Sequence, residues 1–183
     1  MRHLPNLICL ARIALIWPIV IALLARNYDL ALFLLTVAAV SDGLDGFLAK
    51  RFGWTSELGK ILDPLADKLL LITLFVVGAW ISLVPLWLTI AAVTRDVAIV
   101  LGALLWRLWI GPFTGGPSIL SKINTGLQLA YLLGVITHAD KLPPPQGFLS
   151  VLAGVIVVTT LLSGINYAAV FARSAAVARG KAR

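Results

Sequence analysis

The chain has 183 residues, of which 60% are hydrophobic and 13% charged, and its mean hydropathy of +0.99 excludes an ordinary water-soluble domain. The net charge of +7 could suggest nucleic acid, but no basic and aromatic stretch accompanies it, so no nucleic acid is expected as a partner. One cysteine, Cys9, excludes an intrachain disulfide. The composition predicts an all-α, polytopic membrane protein.

Hydropathy predicts six transmembrane helices within a single domain of residues 1–183. Polar or turn-rich segments separate the apolar runs. The first run carries Arg12 and lacks a clear cleavage site, so we expect it to remain as a transmembrane segment. No Arg-rich transit peptide precedes it, which favours a bacterial inner membrane. The predicted spans are roughly residues 6–25, 30–51, 58–80, 84–108, 119–137 and 148–172.

The distribution of basic residues predicts the orientation. With the amino terminus in the cytoplasm, most loop lysines and arginines lie on that side, and only Arg26 and Lys141 fall outside. The turn between the second and third spans is then cytoplasmic.

Four aspartates flank this turn: Asp42, Asp45, Asp63 and Asp67, half of the eight acidic residues. On helices, Asp42 and Asp45 share one face, and Asp63 and Asp67 share another. Both pairs lie roughly 10 Å from the turn, at about 1.5 Å per residue. Carboxylates near hydrocarbon are costly, so this cluster predicts bound cations and a function.

The chemistry of these ligands restricts which metal ion is expected. Oxygen ligands without His or Cys suit hard cations, so we expect two Mg²⁺ ions, or Mn²⁺, rather than zinc. Gly46 and Gly59 lie on the same helices, where a glycine permits close approach of a ligand or of another helix, and both interpretations stay open. Lys68, beside Asp67, is expected to neutralise the acidic cluster.

Other polar residues inside the spans have two interpretations each. Arg95 could bind an anionic headgroup or be compensated by Asp96. Lys122, at the start of the fifth span, could receive a phosphate or extend to the interface. The same two interpretations apply to Arg12 in the first span.

The acidic stretch resembles a known family signature. Asp42-x-x-Asp45-Gly46-x-x-Ala49-Lys50, followed by Gly59-x-x-x-Asp63-x-x-x-Asp67, is similar to the motif of the CDP-alcohol phosphatidyltransferases. The resemblance covers the whole chain. It implies six transmembrane helices, a homodimer and a two-metal site at the cytoplasmic side. Two departures are Lys50, where arginine is usual, and Cys9, where a hydroxyl residue is usual.

The resemblance also implies residue roles. Asp42, Asp45, Asp63 and Asp67 would bind metal, and Asp67 would also be the general base. The pocket for the CDP group of CDP-diacylglycerol would be lined by Asn6, Asp45, Gly46, Ala49, Lys50 and Gly59.

The acceptor is predicted from later segments. Thr94-Arg95-Asp96-Val97 and Ser121-Lys122-Ile123-Asn124-Thr125 resemble the CMP-forming cardiolipin synthases, with phosphatidylglycerol as acceptor. Phosphatidylglycerophosphate synthesis from glycerol 3-phosphate is the alternative. Arg95 and Lys122 are the candidates for the acceptor phosphate. A divalent cation transporter is a remote alternative, because the acids cluster on one side and no inverted repeat is present.

Overall fold

The structure is a computed structural model. It describes the backbone of residues 4–52, 59–109, 119–139 and 147–181, and the side chains within 10–41, 43, 65–102, 119–137, 139 and 147–165. These parts of the chain are almost entirely helical, which confirms the all-α prediction.

The described residues form six helices, and the bounds of these helices lie close to the six predicted apolar runs. The largest difference is at the last helix, which continues nine residues beyond the predicted limit of 172. The helices are α1 Leu4–Leu24, α2 Tyr28–Phe52, α3 Gly59–Trp80, α4 Leu86–Trp109, α5 Ile119–Ala139 and α6 Phe148–Lys181.

The turn from α1 to α2 is fixed by its own backbone. Arg26 adopts a left-handed conformation with φ of 56°, and the N–H of Asn27 donates to the carbonyl of Ala22 at 2.8 Å, which closes α1. The side-chain oxygen of Asn27 then accepts from the N–H of Leu30 at 3.2 Å and caps α2. Asn27 therefore ends one helix and begins the next.

The turn from α3 to α4 also has a residue in the left-handed conformation and a backbone hydrogen bond that closes the preceding helix. Ser82 has φ of 61°, and the N–H of Leu83 donates to the carbonyl of Gly78 at 2.8 Å. Glycine is needed at 78, since a Cβ there would lie 2.7 Å from Cγ2 of Val84.

The core lies between the helices. α1 packs against α2 and α3, α4 packs against α3 and α6, and α5 packs against α2, α3 and α6. Phe75 of α3 is 1% exposed and its ring stacks on Tyr131 of α5, with centroids 6.3 Å apart. The other large, fully buried apolar side chains are Ile19, Leu23, Leu35, Leu74, Leu88 and Ile156.

The outer surface is also apolar. Large exposed side chains include Trp17, Phe33, Trp80, Leu86 and Val151. Within the described residues, two segments are long and apolar enough to cross a membrane by length and composition, Ile119–Thr137 and Phe148–Ile165. Shorter apolar segments cover Leu10–Leu24 and Tyr28–Ser41.

Candidate active site

Asp67 lies on α3 where that helix packs against α1. Its carboxylate pairs with the guanidinium of Arg12, which is 3% exposed. The Asp67 side chain remains 34% exposed. Arg12 is therefore buried against an acid rather than extended to an interface, and it fixes one oxygen of a carboxylate that still reaches the surface.

The next residue, Lys68, begins a buried ionic network. Its Nζ lies 2.6 Å from Oδ1 of Asp96 on α4, and Nη1 of Arg95 lies 2.5 Å from the same oxygen. Asp96 is 1% and Arg95 5% exposed. One carboxylate thus serves two cations, so these three side chains together carry an excess positive charge. The predicted compensation of Arg95 by Asp96 is present, and Lys68 also bonds to Asp96. Neutralisation of the acidic cluster by Lys68 stays a prediction.

Hydroxyl groups from α5 and α6 complete the network. Nη2 of Arg95 donates to Ser121 Oγ at 2.8 Å and to Ser163 Oγ at 2.5 Å. Nζ of Lys68 donates to Thr125 Oγ1 at 3.3 Å. Four helices, α3 to α6, therefore meet around one buried cationic cluster.

The polar face of α5 continues past this cluster. Ser121, Asn124, Thr125 and Gln128 follow the three- and four-residue spacing of one helical face. The side-chain oxygen of Asn124 accepts from Thr159 at 2.7 Å, and Thr160 lies 3.2 Å from it. Gln128 is 0% exposed, and neither of its amide atoms has a hydrogen-bond partner within the described residues.

Most of the sequence motif lies in helical backbone. Asp42, Asp45, Gly46, Ala49 and Lys50 fall in the last half of α2. Gly59 and Asp63 fall at the start of α3, and Asn6 at the start of α1. Helical backbone places each aspartate pair on one face, as predicted. The side chains of Asn6, Asp42, Asp45, Ala49, Lys50 and Asp63 lie outside the described residues.

The metal prediction consequently depends on side chains beyond those described. Within the described set, no three His, Cys, Asp or Glu side chains cluster, and Asp67 is the one member of the aspartate quartet in that set.

Lys122 lies apart from Arg95 in the described contacts. Its side chain is exposed, whereas its neighbour Ser121 is 5% exposed and bonds to Arg95. The phosphate role of Lys122 stays a prediction.

Comparison with known proteins identifies the chain. The family model for CDP-alcohol phosphatidyltransferase matches residues 2–174. The chain belongs to the CDP-alcohol phosphatidyltransferase family. In this member of the family, the motif residues fall within α2 and α3, and the ionic network begins one residue after the last motif aspartate.

Relatives of this phosphatidyltransferase family member include cardiolipin synthases and glycerol-3-phosphate phosphatidyltransferases. A cardiolipin synthase (CMP-forming) from Rattus norvegicus is 28% identical over 97% of this chain and 64% of its own length. A CDP-diacylglycerol–glycerol-3-phosphate 3-phosphatidyltransferase from Bacillus subtilis is 30% identical over 75% of this chain and 78% of its own. A protein of the same name from Aquifex aeolicus is 32% identical over 87% of this chain and 88% of its own length. The chain spans less than two thirds of the length of the rat and human cardiolipin synthases that it matches.

The sequence did not single out Gln128, Thr160 or Ser163 of this family member. Each is a polar residue at helical spacing in an apolar helix, and Thr160 and Ser163 are one turn apart. That spacing was the available signal for a buried polar face.

Proposed function

We propose that this chain is a membrane enzyme that transfers the phosphatidyl group of CDP-diacylglycerol to a hydroxyl of phosphatidylglycerol, giving cardiolipin and CMP. The observation that carries the proposal is the family match over residues 2–174, combined with a partly exposed Asp67 beside a buried cationic network. The similarity to CMP-forming cardiolipin synthases favours this acceptor.

The chemistry assigns Asp67 as the general base. Its carboxylate takes the proton of the acceptor hydroxyl as that oxygen forms a bond to the phosphatidyl phosphorus. The bond from this phosphorus to the bridging oxygen breaks, and CMP leaves with that oxygen. Arg12 holds one Asp67 oxygen by an ion pair, so the orientation of the base is set by the packing of α1 on α3.

Two divalent cations fit the donor set. Asp42, Asp45, Asp63 and Asp67 would hold them, because aspartate oxygens suit Mg²⁺ or Mn²⁺ and the Asp67 carboxylate is accessible. When bound, the metals neutralise the diphosphate and the leaving group. Asn6, Gly46, Ala49, Lys50 and Gly59, with Asp45, would line the CDP pocket.

Arg95 is the proposed ligand of the acceptor phosphate. It is buried in an excess of positive charge, and its Nε has no partner within the described residues. Lys122 is proposed as a second, more exposed contact.

We place all six helices across the membrane. Each has at least 21 residues, about the length that a bilayer requires, and the outward faces carry large apolar side chains. The aspartate pairs would then open to the cytoplasm of a bacterial cell, at its inner membrane. We also propose that the enzyme is a homodimer.

A second acceptor has specific support. The relatives from Bacillus subtilis and Aquifex aeolicus are named for transfer to glycerol 3-phosphate, so that acceptor is the alternative.

The test is a parallel assay of the purified protein. CDP-diacylglycerol and Mg²⁺ are incubated with phosphatidylglycerol or with glycerol 3-phosphate, and CMP and lipid products are followed. Cardiolipin from the first mixture is the expected result. Phosphatidylglycerophosphate from the second mixture alone would overturn the acceptor and keep the reaction type. Absence of CMP in every mixture would contradict the transferase itself.

A further inference from the structure

A groove of about 650 Å³ lies between α4 and α6. This volume is within the range of about 300–1,000 Å³ typical of ligand pockets. Ile90, Leu161 and Ile165 are each more than half exposed, so the groove opens on the outer, apolar surface of the bundle. The apolar part of the lining includes Ile90, Ala98, Ile99, Leu161, Gly164 and Ile165.

One wall of the groove is charged. Arg95 lines it and is 5% exposed, and Thr94 and Thr160 lie beside it in the lining. Both terminal nitrogens of Arg95 have partners, but Nε has none within the described residues. The groove therefore borders a cationic side chain, which favours an anionic group over a neutral one.

The charged wall connects to the reaction centre. Arg95 contacts Asp96 at 2.5 Å, Asp96 contacts Lys68 at 2.6 Å, and Lys68 directly follows Asp67. Two ion pairs therefore join Arg95, at the groove, to Lys68 on α3, the helix that carries the proposed base. A molecule with an apolar chain in the groove and an anionic group at Arg95 would have its polar end at this ionic network.

We propose that the α4–α6 groove binds an acyl chain of the acceptor, so that the acceptor is an anionic phospholipid entering sideways from the bilayer. This inference rests on the proposed function and sharpens its choice of acceptor. Glycerol 3-phosphate has no apolar chain and gains nothing from such a groove. Charge complementarity decides the occupant, because the groove joins an apolar lining to a buried cation.

Two glycines of α6 provide a matched test. A Cβ added at Gly164 or at Gly154 meets nothing within 4 Å, so a side chain at either position begins in open space. Gly164 lines the groove and Gly154 does not. Gly164→Leu fills the groove, and Gly154→Leu is the control.

The measurement is the KM for dioleoyl- and dihexanoyl-phosphatidylglycerol, together with the KM for CDP-diacylglycerol. We expect Gly164→Leu to raise the KM for the long-chain acceptor roughly tenfold and to reduce the preference for long over short chains. The KM for CDP-diacylglycerol should stay within about twofold, since uniform binding of the donor is unaffected. Gly154→Leu should have the same three KM values as the wild type.

Several results would overturn the inference. If the two variants had equal KM values for the acceptor, the groove would not take part in acceptor binding. A raised KM for CDP-diacylglycerol in Gly164→Leu would assign the groove to the donor. A changed oligomeric state of Gly164→Leu with an unchanged KM would show that a second copy covers it. Wild-type transfer to glycerol 3-phosphate alone would overturn the lipid acceptor while CMP-forming transfer stands.

A binding readout separates this inference from the proposed function. Phosphatidylglycerol with a photoreactive acyl chain should label α4 and α6 peptides of the wild type and of Gly154→Leu, and Gly164→Leu should lose that labelling. If the wild type releases no CMP, the transferase proposal fails, and the labelling pattern alone decides whether the groove binds lipid. Equal labelling of all three proteins would contradict binding of the acyl chain in the groove.

Discussion

The apolar core around Phe75 and the cationic network around Arg95 share helices α3 and α4, yet they are built from opposite chemistry. Phe75 lies seven residues after Lys68 on α3, and Leu88 lies seven residues before Arg95 on α4. Seven residues are about two helical turns, or roughly 10 Å, so each pair lies on one helical face. Around Phe75 the contacts join aromatic and aliphatic side chains. Around Arg95 the described hydrogen bonds join buried polar side chains. The apolar layer, around Phe75, holds the helices together, and the polar layer, around Arg95, is the part that we propose to meet an anionic substrate.

The largest effect is expected from removing the acid that two cations share. Asp96→Asn leaves Lys68 and Arg95 buried without a counter-charge, which should lower the free energy of unfolding by about 3–5 kcal/mol. Thermal unfolding in detergent, followed by tryptophan fluorescence, measures the change.

Asp29→Asn is the control for this substitution, because Asp29 is exposed in the first turn of α2. Adding Lys68→Met to Asp96→Asn should restore part of the stability, since one unpaired cation is removed. Equal stability of Asp96→Asn and Asp29→Asn would contradict the described network.

The apolar layer should respond through lost packing. Phe75→Ala removes a ring that is 1% exposed and stacked on Tyr131, which should destabilise the protein by about 3 kcal/mol. Val76→Ala, at a neighbouring residue that is 49% exposed, should cost less than about 0.5 kcal/mol. The same unfolding experiment applies. A similar loss in both variants would show that burial does not distinguish the two faces of α3.

The smallest effect is expected outside both layers. Asn27→Ala removes the side-chain cap of α2 and should destabilise the protein by about 1 kcal/mol. Turnover should not change, because Asn27 is at the turn between α1 and α2. Asn27→Ser, which keeps a capping oxygen, should retain most of the stability; if it is as unstable as Asn27→Ala, the cap is not the cause.

The apolar layer could be predicted from the sequence far better than the polar layer. Hydropathy located six helices within a few residues at most ends, because long apolar runs and polar breaks are local features. The pairing of Arg12 with Asp67 was not predicted, since it depends on which face of α1 meets α3. The ion pair of Lys68 with Asp96 was not predicted, for the same reason. Adjacent residues on a helix point in different directions, so Lys68 contacts α4 while Asp67 contacts α1.

Within the candidate site, the family signature predicted more than the physical pattern did. The motif identified the four aspartates and the family, and the family match confirmed the latter. The buried positions of Ser121, Ser163 and Gln128 required the packing of α5 and α6.

The most direct test of the central claim is the rate of CDP-diacylglycerol-dependent CMP release by Asp67→Asn. Asparagine keeps the size of the side chain but cannot take the proton, so turnover should fall by about 10²–10⁴ when it is measured at a temperature where the variant is folded, because Arg12 also loses its charged partner. Asp29→Asn should release CMP at the wild-type rate. Full turnover by Asp67→Asn would contradict the assignment of Asp67 as the general base.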